Sequence, residues 1–133
     1  MLPYFQFHHI GIACPDIDKT ASVYTNAGYS RTETVIDPLQ SVFVSVLSKD
    51  GMPTIELLSP VDETSPICKT IEKAGGVSIY HTCYIVPDIN QAIVELRAQK
   101  YMPTTKVKYS NVFDRDVCFL YHRNVGLIEI IQK

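Results

Sequence analysis

The stretch HHIGIACPDIDKTASVYTNAGY, residues 8–29, decides the fold because the chain contains a second version of it. That version is YHTCYIVPDINQAIVELRAQKY, residues 80–101, at a constant offset of 72 positions. Both run from an apolar segment of β type through Pro-Asp-Ile into a helical segment. A fixed internal period is the signature of a duplicated structural unit. The sequence therefore predicts two related modules.

Each copy predicts a strand followed by an amphipathic helix. Asp16 is the predicted N-cap of the first helix and Gly28 its end, while the second helix follows Asp88. Apolar residues recur at helical spacing in both: Ile17, Ala21 and Tyr24 in the first, and Ile89, Ala92, Ile93 and Leu96 in the second. Each helix can therefore cover one face of a sheet.

The remainder of each half also matches, now at an offset of 73. VSVLSKDGMPTIELL, residues 44–58, lies over VCFLYHRNVGLIEII, residues 117–131. Both read as two β-type runs around a polar turn, and Asp50-Gly51 is a good hairpin signal in the first. Between the halves, Ser65 as N-cap, Pro66 at the first position and Gly75-Gly76 at the end predict a connecting helix.

We therefore predict an α+β fold in a single domain spanning residues 1–133. Two βαβββ modules, at about 7–59 and 79–131, are joined by the connecting helix at about 65–75. Each module is too small to be stable alone, so the two are expected to pair into one cupped, helix-backed mixed β-sheet. Its open face is the expected site, and Gln40, Ser45 and Asn111 are expected to line it.

Composition excludes several classes of partner. The net charge is −2, the pI is near 6.0, and there is no run of Lys or Arg, so nucleic acid is not an expected partner. No stretch of 18 apolar residues predicts a membrane span, and a cytoplasmic location is expected. The four cysteines, which include no C-x-x-C pair, are expected to be buried thiols: Cys14, Cys68, Cys83 and Cys118.

The polar residues that the repeat preserves are a histidine and a glutamate. His9 matches His81, and Glu56 matches Glu129. In each half the histidine lies on the first strand and the glutamate on the last, and each glutamate stands between two large apolar residues. The four side chains are predicted to converge as two nitrogen and two oxygen donors, a set that suits a divalent transition metal.

Each of these residues also has an ordinary interpretation. An isolated strand histidine is usually a satisfied, half-buried residue, and a glutamate between apolar strand residues usually faces solvent. The duplication with matched spacing favours the metal site. It gives no such support to His8, whose counterpart is Tyr80, or to His122, whose counterpart is Lys49; His8 is expected to pack under a helix.

These motifs resemble the vicinal oxygen chelate superfamily, which includes glyoxalase I, extradiol dioxygenases, fosfomycin-resistance proteins and methylmalonyl-CoA epimerase. Over residues 7–131 the chain is most similar to the epimerase group and to short proteins of glyoxalase I type. HHIGIA, IELLSP, IYHTCY and GLIEI resemble the group's ligand motifs. The resemblance implies one metal ion (Zn, Ni, Co or Mn) held by four ligands: His9, Glu56, His81 and Glu129.

At three positions this chain lacks polar residues that members of the family use for catalysis or for binding glutathione. Some epimerases carry an additional glutamate base where this chain has Val44. Glyoxalase I enzymes resemble one another in holding glutathione through an Arg and an Asn, and Ala13 and Pro60 stand at those positions here. Neither side chain can bind a carboxylate.

The resemblance implies a metal-dependent proton-transfer enzyme that forms an enediolate-like intermediate. The leading hypothesis is a methylmalonyl-CoA-type epimerase, with Glu129 or Glu56 as the base. The alternative is a glyoxalase I-type lyase (lactoylglutathione lyase), and a metal-free resistance protein of the binding kind is the third. The expected partners are a small-molecule thioester or hemithioacetal and a second copy of the chain in a homodimer.

Overall fold

The structure, a computed structural model, describes residues 1–133, with ten strands and three helices. The chain divides into two compact units, one formed by His9–Tyr80 and the other by Met1–His8 together with His81–Lys133. In chain order the elements are β1 (Gln6–Ala13), α1 (Ile17–Asn26), β2 (Ser30–Arg31), β3 (Val35–Asp37), β4 (Val42–Ser48), β5 (Ile55–Pro60), α2 (Ile67–Ala74), β6 (Ser78–Val86), α3 (Ile89–Ala98), β7 (Met102–Pro103), β8 (Lys108–Ser110), β9 (Arg115–His122) and β10 (Gly126–Gln132).

In the unit His9–Tyr80 the strand order is β2-β4-β5-β1, and β3 also pairs with β4. β1 runs parallel to β5, whereas β4 is antiparallel to β5, so the sheet is mixed. The Asp16 carboxylate accepts hydrogen bonds from the amides of Asp18 and Lys19 and caps α1 as predicted. The helix buries its apolar face in a cluster of strand and helix residues: Ile12, Cys14, Ile17, Ala21, Leu47, Ile55 and Leu57.

The other unit repeats this plan with the order β6-β10-β9-β7, and β8 also pairs with β9. β10 is parallel to β6 and antiparallel to β9. Asp88 caps α3 by accepting from the amide of Gln91. The buried core under α3 contains Leu2, Val86, Ile89, Ala92, Leu96, Tyr101, Cys118, Leu120, Ile128 and Ile130. Each unit thus has the predicted βαβββ order, with its second strand split into two short ones.

The connecting helix α2 begins one residue later than predicted. Pro66, not Ser65, is its N-cap residue, and no side chain caps it. The hydroxyl of Ser65 instead donates to the main-chain carbonyl of Gln40, 3.0 Å away. Gly75 ends the helix as predicted, in a left-handed conformation with φ of 71°. None of the three helices is both long and apolar enough to cross a bilayer.

A tight turn before β4 recurs before β9 and extends the repeat. The Asp37 carboxylate accepts from the amide of Leu39, and the Ser110 hydroxyl accepts from the amide of Val112. Four residues after each of these polar residues, the chain adopts the left-handed conformation, at Ser41 with φ of 54° and at Asp114 with φ of 55°. Residues 37–41 and 110–114 are therefore equivalent turns, related by the offset of 73.

Candidate functional site

In the unit His9–Tyr80, the structure brings His9 and Glu56 together on adjacent parallel strands. In the register of β1 with β5, Gly11 lies opposite Glu56, so the histidine is two residues before the partner of the glutamate. The Nε2 atom of His9 lies 3.6 Å from Oε1 of Glu56. His9 is 0% exposed and Glu56 is 4% exposed. A polar pair therefore occupies a buried position on the sheet.

The other unit repeats this arrangement with His81 on β6 and Glu129 on β10. Cys83, two residues after His81, lies opposite Glu129 in the parallel register. The Nε2 atom of His81 is 3.2 Å from Oε2 of Glu129, and the two residues are 2% and 4% exposed. The duplication is thus preserved in strand register, burial and side-chain contact, as well as in sequence.

Apolar residues surround the carboxylates in both units. Val46 lies opposite Glu56 across β4 and β5, and Phe119 lies opposite Glu129 across β9 and β10. Val46 and Phe119 are themselves equivalent in the repeat. The ring of Phe119 also packs edge-on against His81, with 5.2 Å between ring centroids. A carboxylate buried in such surroundings is costly unless it is paired or bound to a cation.

The geometry of each pair fits the ligands of a divalent metal. Two ligand atoms that are each about 2.1 Å from one ion, at tetrahedral or octahedral angles, lie about 3.0–3.4 Å apart. The Nε2–Oε2 distance of 3.2 Å between His81 and Glu129 falls in that range, and the 3.6 Å between His9 and Glu56 is slightly longer. Imidazole nitrogen and carboxylate oxygen suit Zn, Ni, Co or Mn.

The two other histidines have structural neighbours. The His8 ring packs edge-on against Phe113, 5.3 Å away, and Phe113 packs on a small cluster that contains Cys83 and Val117 but no helix residue. His8 was expected to pack under a helix, and the structure places its ring on the turn before β9 through Phe113. His122 accepts from the amide of Asn124 through Nδ1.

The structure bears on the position of the additional base, Val44, and on one expected lining residue, Ser45. Val44 is 1% exposed and lies opposite Leu58, so no carboxylate stands at that position. Ser45 does not line the open face. It lies opposite Leu57, which belongs to the α1 cluster, and residues opposite each other share a face. Its hydroxyl accepts from Arg31 and donates to the Thr32 carbonyl.

A polar contact at Gln40 was not predicted from the sequence. The hydroxyl of Tyr80 donates to the side-chain oxygen of Gln40 at 3.3 Å. Tyr80 immediately precedes His81. The sequence signal that could have singled out Tyr80 is its equivalence with His8, which precedes His9. Aromatic rings at these two positions both reach the turn before the hairpin of their own unit.

The cysteines form no disulfide. Cys14, Cys83 and Cys118 are buried as predicted, whereas the prediction is wrong for Cys68, which is partly exposed on α2. Burial raises the pKa of the thiols of Cys14 and Cys118. These thiols therefore act as apolar core residues at neutral pH.

Known proteins resemble this chain along most of its length. The profile of the Glyoxalase/Bleomycin resistance protein/Dioxygenase superfamily matches residues 8–119. The mitochondrial methylmalonyl-CoA epimerase of Homo sapiens is 31% identical over 131 residues, covering 96% of this chain and 73% of that protein. The crystal structure of methylmalonyl-CoA epimerase from Mycobacterium tuberculosis has a TM-score of 0.84 at 25% identity, covering 99% of this chain and 92% of that one.

A hypothetical protein from Bacillus halodurans is similar to the same extent. Its crystal structure has a TM-score of 0.85 at 28% identity, with 98% of this chain and 95% of that one covered. In each case the similarity includes both halves of the internal repeat.

Proposed function

This chain belongs to the glyoxalase/bleomycin resistance/dioxygenase (vicinal oxygen chelate) superfamily, and from that membership we propose that it is a divalent-metal-dependent epimerase of methylmalonyl-CoA or a closely related 2-acyl thioester. The observation that carries the proposal is the pair of buried histidine–glutamate contacts at equivalent places in the repeat. The names of the similar proteins supply the substrate class. Metal ligation accounts for both pairs, because each supplies an imidazole nitrogen and a carboxylate oxygen.

We further propose that both pairs serve one metal ion. His9, Glu56, His81 and Glu129 would be its ligands, and the two units would form one domain around it. The support is the repeat itself, because it gives both pairs the same register and the same burial. When bound, the ion would neutralise negative charge that develops on substrate oxygens as a proton leaves the adjacent carbon. Zn, Ni, Co and Mn all suit these donors.

The proton itself is moved by the protein. Epimerisation requires a base within hydrogen-bond distance of the proton on the carbon next to the thioester. With Val44 at the position of an additional base, the carboxylates available are those of Glu129 and Glu56. Either carboxylate would take the proton, and a proton drawn from solvent would be added to the opposite face of the resulting planar, enolate-like carbon. Val46 lies beside the carboxylate of Glu56, and Phe119 beside that of Glu129.

The glyoxalase I-type reaction is the second candidate. It requires the same removal of a proton beside a carbonyl, and the same four ligand residues would serve it. Against it, Ala13 is fully buried and has no polar side chain, and Pro60 has none either, so the usual glutathione contacts are missing. A metal-free binding protein is the weakest hypothesis, because such a protein would gain nothing from two buried histidine–glutamate pairs.

Assembly and location complete the proposal. We infer a homodimer from the resemblance to the superfamily. We infer a cytoplasmic location from the four cysteines, since three are buried thiols and none forms a disulfide.

Solvent exchange tests the function directly. In D2O, purified protein loaded with Co, Ni, Zn or Mn should exchange the 2-hydrogen of methylmalonyl-CoA, and it should not form lactoylglutathione from methylglyoxal and glutathione. Lactoylglutathione formation without exchange would establish the glyoxalase reaction instead. The absence of both reactions in metal-loaded protein would reject both enzymatic hypotheses.

A further inference from the structure

Equivalent residues in the two units make chemically different contacts. Tyr80 and His8 each precede a proposed ligand histidine, and they are related by the offset of 72. Tyr80 contacts Gln40, and His8 contacts Phe113. Gln40 and Phe113 are likewise equivalent, at the offset of 73, in the two matching turns. The same contact is therefore a hydrogen bond to Gln40 in one unit and a ring contact with Phe113 in the other.

Gln40 is held in one orientation from two sides. Its main-chain carbonyl accepts from the hydroxyl of Ser65, which is 3% exposed, and its side-chain oxygen accepts from the hydroxyl of Tyr80. An amide group has one acceptor oxygen and two donor hydrogens on nitrogen. Because Tyr80 uses the oxygen, the side chain is oriented with its Nε2 donors directed away from Tyr80. Those donors make no hydrogen bond to the protein.

The distance along the sheet indicates which part of a substrate could reach this donor. The amide of Val61 donates to the carbonyl of Ser41, so the turn that carries Gln40 lies beside the end of β5. Val61 is five residues beyond Glu56, which corresponds to about 16 Å along a strand. The acyl group, which must lie near Glu56 and its metal, is too short to extend that far. The arm of the thiol carrier is long enough.

We propose that the Nε2 group of Gln40, oriented by Tyr80, donates a hydrogen bond to an amide carbonyl of the pantetheine arm of an acyl-CoA substrate. The proposal rests on the epimerase function proposed above and adds the residue that recognises the carrier. Of the two amides in the arm, the one farther from the thioester matches the distance better. Phe113 has no polar group, so the equivalent position in the other unit cannot make this contact.

Substrates of different length test the proposal. The exchange rate in D2O is measured for the same acyl group on coenzyme A, on pantetheine and on N-acetylcysteamine, which lacks the far amide. Gln40→Leu should lower kcat/KM for the CoA and pantetheine thioesters by about 3- to 10-fold through KM, as expected for one neutral hydrogen bond. Its kcat/KM for the N-acetylcysteamine thioester should equal that of the wild type.

Two further variants separate recognition from general damage. Tyr80→Phe keeps the Gln40 amide but removes the group that orients it, so it should show the same dependence on carrier length with a smaller loss. Gln91→Leu makes the same side-chain change on the exposed face of α3 and should affect no substrate.

The outcomes distinguish this inference from the proposed function. An equal loss on all three thioesters would overturn it, since a folding or metal defect acts on every substrate. Unchanged KM for acyl-CoA in Gln40→Leu would overturn it as well. Failure of the wild type to exchange any thioester would instead reject the proposed function.

Discussion

Glu129 places Oε2 3.2 Å from Nε2 of His81, and the residue opposite Glu129 in the strand register is Cys83, two residues after His81. The same relationship holds between Glu56 and His9, with Gly11 in the place of Cys83. Parallel pairing fixes which residues of two strands lie side by side. One register repeated in the two units therefore carries the same pair of donors into both.

Glu129→Gln should lower the rate of 2-hydrogen exchange by about 10²- to 10⁴-fold, the usual contribution of a positioned base. The amide keeps the shape and the oxygen of the side chain but cannot accept a proton at neutral pH. Exchange of the 2-hydrogen of methylmalonyl-CoA in D2O is the measurement, with circular dichroism to establish that the variant folds.

Glu56→Gln is the matched variant in the other unit. If Glu129 is the base, Glu56→Gln should retain much of the exchange activity, because the amide oxygen can still ligate a metal. The opposite ranking of the two variants would assign the base to Glu56. Full activity in both would exclude either carboxylate as the base.

Metal binding should have a stoichiometry of one ion per chain, because the two pairs are proposed to share it. His9→Ala and His81→Ala should each weaken binding of that same ion by at least about tenfold. Titration with Co²⁺, followed by its visible absorption and by elemental analysis, measures both quantities. Two ions per chain, with each variant losing only one, would show that the pairs are independent sites.

Lys100→Gly should stabilise the protein by about 0.5–1 kcal/mol, because Lys100 has a left-handed conformation with φ of 72° after α3. Gly28 stands at the equivalent place after α1, with φ of 94°. Both positions close the helix with the same hydrogen bonds: the amide of Lys100 donates to Arg97, and that of Gly28 to Thr25. Thermal unfolding should show an increase in Tm of roughly 2–4 °C.

Gly28→Lys is the reciprocal change and should lower Tm. A side chain at this position would be strained by the positive φ, although its Cβ would meet only Lys49 side-chain atoms at an ordinary 3.6 Å. A decrease in Tm for Lys100→Gly would contradict the argument from backbone conformation.

Alkaline pH should destabilise the fold. Burial raises the pKa of Cys14, Cys118 and Tyr101 above their ordinary values, 9.0 for the thiols and 10.0 for the phenol. The unfolded chain then loses these protons at lower pH than the native protein does. The resulting stabilisation is complete below about pH 8.5 and is lost as pH rises through the native pKa values. Urea unfolding at pH 7.5 and pH 10 measures the change, and an unchanged midpoint would contradict it.

The sequence by itself determined the repeat and, through it, the order of elements and the four candidate ligands. Local signals sufficed there, because an N-cap aspartate, a hairpin Asp-Gly and helical spacing act within a few residues. The equivalence of His9 with His81 and of Glu56 with Glu129 could be read as spacing alone. That the strands carrying each histidine and glutamate are neighbours was established by the structure, in which β1 pairs with β5 and β6 with β10.

Only the tertiary structure decided where Ser45, Ser65 and His8 make their contacts. Ser65 satisfies the carbonyl of Gln40 instead of capping α2, and His8 packs on Phe113, more than a hundred residues away. These partners are distant in sequence, and a hydroxyl or a ring can satisfy its contacts in several directions. Local pattern cannot choose among them, because the choice depends on which turn the folded sheet brings within reach.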